Sequence, residues 1–281
     1  MFRTSIIAST LAVVTTGAQA EATLIETIPG LPGVESLLHD DKRNVFYATL
    51  QAGDDAGDGS IVTISSEGIV GNVIASGLEN PKGMGLVNDH LVVGDMGNIL
   101  ELDLTSGEVK RHAVEGAEFL NDVAVDAAGD VFVSDMFTSE IYRASDGEVS
   151  RWMQAPELEN PNGLLFVEGN LFVAAWGAFD DANPIEAPFG NFLKIDPETQ
   201  EITAVSHAPL GNLDGLQLDG QGNFLISDWK QGAVFRVAAD GAAEEIIDLP
   251  RGAGDILYDI DADRLYVPMA LDGEVRVYSL N

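Results

Sequence analysis

Six near-copies of one short unit, apolar–polar alternation within each copy, and no long stretch of helical period together predict an all-β fold. The architecture expected is a six-bladed β-propeller with four antiparallel strands per blade. Two copies are nearly the same text: LENPKGMGLVNDHLVVGDM from Leu78 and LENPNGLLFVEGNLFVAAW from Leu158. Each runs Leu-Glu-Asn-Pro, one polar residue, Gly, an apolar strand, a turn and a second strand.

The other copies share this frame. FLNDVAVDAAGDVFVSDMFTSEIYRA begins at Phe119, NLDGLQLDGQGNFLISDWKQGAVFRVA at Asn212 and GDILYDIDADRLYVPMALDGEVRVYSL at Gly254. VESLLHDDKRNVFYATL from Val34 is the first copy, with its third strand at Ser60 to Ile64. The units recur every 40 to 50 residues or so, the size of a propeller blade. Six of them occupy residues 21–281 as one domain. The segment Ala22 to Ile28 is expected to pair with Glu274 to Leu280, completing the last blade and hiding an edge.

Residues 1–20 read differently. Arg3 precedes an apolar run from Ile6 to Val14, and Ala18-Gln19-Ala20 offers a small-residue cleavage site, the pattern of a secretory signal cut after Ala20. The run is too short for a permanent span. A periplasmic or secreted protein with no membrane span after signal removal is expected, and the absence of cysteine suits export without disulfides.

Lys and Arg number 14 against 46 Asp and Glu, a net charge of −32. Such a surface repels nucleic acid and anionic lipid, so neither is expected as a partner. It also favours solubility. A small-molecule ligand and a monomer are expected, since a closed ring leaves no obvious edge for assembly.

Two copies carry insertions. QAGDDAGDGS from Gln51 is acidic and glycine-rich; Asp54, Asp55 and Asp58 do not match EF-hand spacing, and an ordinary flexible loop explains them better than a calcium site. WGAFDDANPIEAPFGN from Trp176 carries Pro184 and Pro188, which forbid a regular strand and suggest a lid over one face.

Aligning the copies places Glu35, Lys82, Asn121, Asn162, Asp214 and Asp255 at one position, at the start of each first strand. In a propeller these positions converge at one mouth of the channel. Asn and Asp before a strand are also ordinary turn residues. Four oxygen-bearing side chains at one register of a closed ring favour ligation, with no imidazole or thiolate to recruit zinc or copper. One divalent cation is expected, Ca2+ first, with Mg2+ or Mn2+ possible.

GVESLLHDDKRNVFYAT at Gly33, LNDVAVDAAG at Leu120, PNGL at Pro161 and LDGLQLDGQGN at Leu213 resemble the metal-site segments of the senescence-marker-protein/gluconolactonase family. That family comprises six-bladed, calcium-dependent propellers related to paraoxonase and diisopropylfluorophosphatase. The resemblance covers essentially all of residues 21–281. It implies Glu35, Asn121, Asn162 and Asp214 as metal ligands, hydrolysis of a lactone or ester, and Asp214 as base or nucleophile. A cation beside the carbonyl would polarise it, and a carboxylate facing the substrate could take a proton from water. No G-x-S-x-G marks a competing serine nucleophile.

Lys82 departs from a plain metal ring, and three readings stay open. It can pair with Glu35 in place of the metal, donate to an acidic substrate or oxyanion beside a bound metal, or act as a base. Asp255 is either an orienting partner of a ligand or a turn residue. His39 reads as a fixed core histidine, and His207, on the approach to Asp214, as an outside candidate for substrate contact. Asp95, Asp135 and Asp228 read as strand-end residues that fix turns. Met96, Met136, Trp229 and Trp176 are expected to pack between blades; Trp176 would wall a pocket if it faced the mouth. The competing function is a non-catalytic binding propeller in which Lys82 replaces or blocks the metal. A protein-interaction scaffold has only the acidic charge behind it.

Overall fold

The computed structural model describes residues 22–51, 53, 55–179 and 187–281. The expected signal segment, Asp54 and the centre of the expected lid lie outside the described residues. Six four-stranded antiparallel sheets form the molecule. Blades one to five use consecutive strands from the centre outwards: β2–β5 from Val34 to Leu78, β6–β9 from Pro81 to Ala113 and β10–β13 from Leu120 to Gln154. β14–β17 then run from Pro161 to Ala204 and β18–β21 from Leu213 to Asp248. The sixth blade runs outwards from β22 (Leu257–Asp259) through β23 (Arg264–Met269) and β24 (Glu274–Ser279) to β1 (Thr23–Pro29), so the ring closes as the sequence predicts. A single 3-10 turn, Pro156–Leu158, is the one helical element among the described residues. None of them forms a helix able to cross a membrane.

Period-two alternation builds the core between blades. In β11 (Val131–Asp135), Val131 and Val133 face the second blade with Val92, while Phe132 faces the fourth with Leu164 and Leu171. In β3 (Val45–Leu50), Phe46, Ala48 and Leu50 pack on Val275 and Val277 of the sixth blade, and Tyr47 packs on the second. Both faces of each middle strand are therefore buried, which fixes its register: a slip of one residue would exchange its two faces.

The inner strands are irregular where the site lies. Val34 pairs with Leu50 and Leu37 with Ala48, so three steps on β2 oppose two on β3, and the same bulge recurs in the second, third and fifth blades. The bulge displaces a backbone N–H, and middle-strand hydroxyls take it up. Ser36 N donates to Thr49 Oγ1 at 3.1 Å, Asp122 N to Ser134 Oγ at 2.9 Å and Gly215 N to Ser227 Oγ at 2.7 Å. Ser134 Oγ and Ser227 Oγ in turn donate to Asn162 O and Gly254 O of the next blade, each at 2.7 Å. Neighbouring inner strands are thus locked together directly beneath the mouth.

Asp135 and Asp228 do fix turns, Asp228 Oδ1 accepting from Lys230 N at 2.9 Å and Gln231 N at 3.0 Å. The Asp95 carboxylate makes no bond to the turn after it among the described residues, and Asp95 and Asp135 both reach ahead of their inner strands. Asp135 Oδ1 accepts from Phe137 N at 3.1 Å and Thr138 N at 3.3 Å in the following turn, while Oδ2 accepts from Glu118 N at 2.7 Å ahead of the inner strand. Asp95 receives Asn80 N at 2.6 Å and Glu79 N at 3.2 Å in the same way. These carboxylates tie the entry of each inner strand to the end of its neighbour, which sets the position of the next residue.

Candidate active site

Glu35, Lys82, Asn121, Asn162 and Asp214 occupy the second position of their inner strands, are all buried, and line one cavity of about 860 Å³. Asp255 does not belong to that set. Ala253 pairs with Met269, as Val34 pairs with Leu50, so the sixth-blade counterpart of Glu35 is Gly254 and Asp255 lies one step deeper. There it aligns with Ser36, Gly83, Asp122, Gly163 and Gly215, forming a second layer of the channel. Ser36 Oγ donates to Asp255 Oδ2 at 2.6 Å, and Asp255 N to Glu35 O at 2.8 Å. Asp255 therefore braces the strand that carries Glu35.

The first layer is rich in acceptors. Lys82 Nζ lies 3.7 Å from Glu35 Oε1 and 5.0 Å from the Phe119 ring centroid. Glu35 Oε2 is buried with no hydrogen-bond partner among the described residues, as is Asn162 Oδ1. Asn162 Nδ2 donates to Leu213 O at 3.0 Å, which turns its oxygen away from the backbone. Asn121 Nδ2 contacts Met136 Sδ at 3.5 Å. Burial pushes the Asp214 carboxyl well up, the nearby Glu35 and Asp255 charges add to it, and Lys82 and Asn162 oppose it. Burial also raises Glu35, against the pull of Lys82. Buried acceptors without donors are costly and normally mark a missing partner.

Among the described residues, no three His, Cys, Asp or Glu side chains form a metal cluster. The candidate set is different: two carboxylates completed by two amides. Its orphaned oxygens fit a hard divalent cation.

Sequence reasoning missed Asp122. Its carboxylate accepts from Leu164 N at 2.6 Å and Val123 N at 2.7 Å, and burial drives its pKa to about 8. The signal was present: the residue after the ring position is Gly in Lys82-Gly83, Asn162-Gly163 and Asp214-Gly215, and an acid in Asn121-Asp122 and, with the corrected register, in Gly254-Asp255. Gly163 shows why a side chain rarely fits there, since a Cβ would lie 2.0 Å from the Asp214 carbonyl oxygen.

The aromatic residues correct the expectation of packing between blades. Met136, Trp176 and Trp229 all line the cavity, with Phe119 and Phe137. Trp176 and Trp229 lie 5.9 Å apart, and Phe119 stacks on Phe137 at 4.5 Å. His207 does not reach the cavity: it is exposed, and its N–H donates to Gly241 O at 3.2 Å on the outer part of the fifth blade. His39 stacks on Phe46 at 4.5 Å, so it is fixed as expected, but it is half-buried, with Nδ1 3.0 Å from the exposed Asp41 Oδ1, and does not lie in the core.

No family model matches the chain, and no curated protein sequence matches it. Solved structures do. A gluconolactonase from Xanthomonas campestris superposes with TM-score 0.70 at 17% identity, over 95% of this chain and 99% of that one. An auxiliary nutrient binding protein from Bacteroides ovatus gives TM-score 0.69 at 11% identity, over 96% and 74%. A virginiamycin B lyase from Staphylococcus aureus, solved with quinupristin, gives 0.65 at 13%, over 93% and 100%. These similarities establish the six-bladed architecture. Their differing roles leave the chemistry to the site itself.

Proposed function

We propose that this chain is a divalent-cation-dependent hydrolase of a small lactone or ester, similar to the gluconolactonases, acting at the propeller mouth. The observation that carries the reading is the pair of buried acceptors without a partner among the described residues, Glu35 Oε2 and Asn162 Oδ1, in one cavity with Asn121 and Asp214. Glu35, Asn121, Asn162 and Asp214 would hold the cation, most simply Ca2+, with Mg2+ or Mn2+ as substitutes. When bound, it supplies electrophilic assistance to a carbonyl oxygen.

The chain's own groups account for the proton transfers. Asp214 takes a proton as a water oxygen attacks the acyl carbon, and returns it to the alkoxide when the ring or ester C–O bond breaks. Lys82 Nζ would donate to the oxyanion that develops on the carbonyl oxygen. Trp176 and Phe119 wall the cavity and limit water. Chelation should abolish hydrolysis of dihydrocoumarin or δ-gluconolactone, and calcium should restore it; turnover unchanged after chelation would sink the assignment.

One observation favours a second reading. The 3.7 Å Lys82–Glu35 pair can stand in for the cation, which would make the chain a non-catalytic periplasmic binding propeller. In that case stripped and calcium-loaded protein would be indistinguishable in stability.

A further inference from the structure

The chain holds 46 acidic residues against 14 basic, and nearly every described arginine sits against an Asp or Glu. Arg251 is the exception: it has no ion-pair partner among the described residues. Its guanidinium carbon lies 4.8 Å from the Trp229 ring centroid, and both side chains line the cavity. Lys230 lines the cavity too and likewise makes no ion pair among the described residues. Asp272, an acidic residue that also lines the cavity, is taken up by Arg276 at 2.9 Å.

A guanidinium lying over an indole is oriented by the ring, while its in-plane N–H fork stays free for a planar anion. Two cations at one rim without an ion pair among the described residues stand out in so acidic a molecule. Phe119 and Phe137 supply a stacked apolar surface in the same cavity, and Phe137 is 50% exposed. Trp176 Nε1 is buried with no acceptor among the described residues.

We infer that the cavity recognises a small carboxylate-bearing molecule with an apolar, ring-containing body. The body lies against Phe119, Phe137 and Trp176, and the carboxylate sits on the Arg251 fork with Lys230 beside it. Insofar as this molecule is the substrate, the inference rests on the hydrolase reading and narrows it to aryl or acyl lactones and esters carrying a free carboxylate. A polyhydroxylated, uncharged sugar lactone would use neither feature.

Binding can be tested apart from turnover, by isothermal titration calorimetry of the full chain with 2-naphthoate and its neutral counterpart 2-naphthamide. Wild type should prefer naphthoate by about tenfold, the scale of one charge-assisted contact. Arg251→Met should reduce that preference to about threefold or less, and Arg251→Lys should recover part of it. Equal affinities in wild type, no binding of either probe, or an undiminished preference in Arg251→Met would overturn the inference. Dihydrocoumarin hydrolysis separates the two readings. A naphthoate preference in a protein that cleaves no lactone leaves this inference standing without the hydrolase. Lactone cleavage with no naphthoate preference removes this inference alone.

Discussion

Glu35 and Lys82 stand on neighbouring inner strands at the mouth, 3.7 Å apart, yet the second oxygen of Glu35 has no hydrogen-bond partner among the described residues. The lysine satisfies half of a carboxylate that burial holds above its ordinary pKa. A cation beside the free oxygen would complete the shell without displacing the lysine, so pairing and metal binding are compatible on geometry.

Removing the amine tests that compatibility. In cation-free Lys82→Met, Glu35 loses its only charge partner among the described residues, and a cost of about 3 kcal/mol is expected in denaturant unfolding. Calcium should then bind about tenfold tighter than in wild type, because it no longer competes with a neighbouring positive charge. Titration calorimetry on both proteins reads this directly; unchanged affinity would mean that the lysine points away from the ligands in solution.

Asp214→Asn should separate stability from chemistry. The amide removes a carboxylate that Glu35 and Asp255 oppose, so the melting temperature without calcium should hold or rise. Turnover of dihydrocoumarin should fall by about 100-fold or more, the usual worth of a general base. A variant that keeps full turnover would remove Asp214 from the reaction.

The second layer makes a pH prediction. Asp122 has a folded pKa of about 8, raised chiefly by burial, lowered by the N–H bonds from Leu164 and Val123, and raised again by Glu35 and Asp214. Its unfolded value is about 3.9. The native state therefore holds a proton that the unfolded chain has released, and stability from this group is full below pH of about 4 and lost as pH rises towards about 8. Melting curves in chelator from pH 5 to 8 should fall more steeply for wild type than for Asp122→Asn. Parallel slopes would show that Asp122 is already ionised in the native state.

The hydroxyl clamps beneath the site make a structural prediction. Ser134→Ala strips a buried acceptor from Asp122 N and a donor from Asn162 O, and Ser227→Ala does the same between Gly215 N and Gly254 O. Each should cost about 1–3 kcal/mol in urea unfolding. Ser134→Ala should also weaken calcium binding, because it loosens the strand carrying Asn162. A loss of stability with calcium affinity intact would uncouple the clamp from the site.

The ring was legible in the sequence because each blade repeats one alternating pattern, and both faces of its middle strand must be apolar. The first-layer residues were legible for the same reason: Glu35, Lys82, Asn121, Asn162 and Asp214 hold one register on strands whose frames align by eye. Asp255 was misplaced by one step because Asp214-Gly215 and Gly254-Asp255 contain the same residues in opposite order, and only the Ala253–Met269 pairing fixes which one faces the mouth. The aromatic wall was hidden by its position just after the middle strands, where Met136, Trp176 and Trp229 could have packed between blades. Arg251 lies between blades, outside any repeat, and its isolation from carboxylates appears only in three dimensions.

The most direct test of the central claim is calcium titration into chelator-stripped wild type, followed by calorimetry and by thermal melting, with Glu35→Gln as the control. The expected result is one equivalent of calcium bound, a higher melting temperature on binding, and loss of both effects in Glu35→Gln. Absence of calcium, magnesium or manganese binding in wild type and in Lys82→Met alike would contradict a metal centre at the propeller mouth.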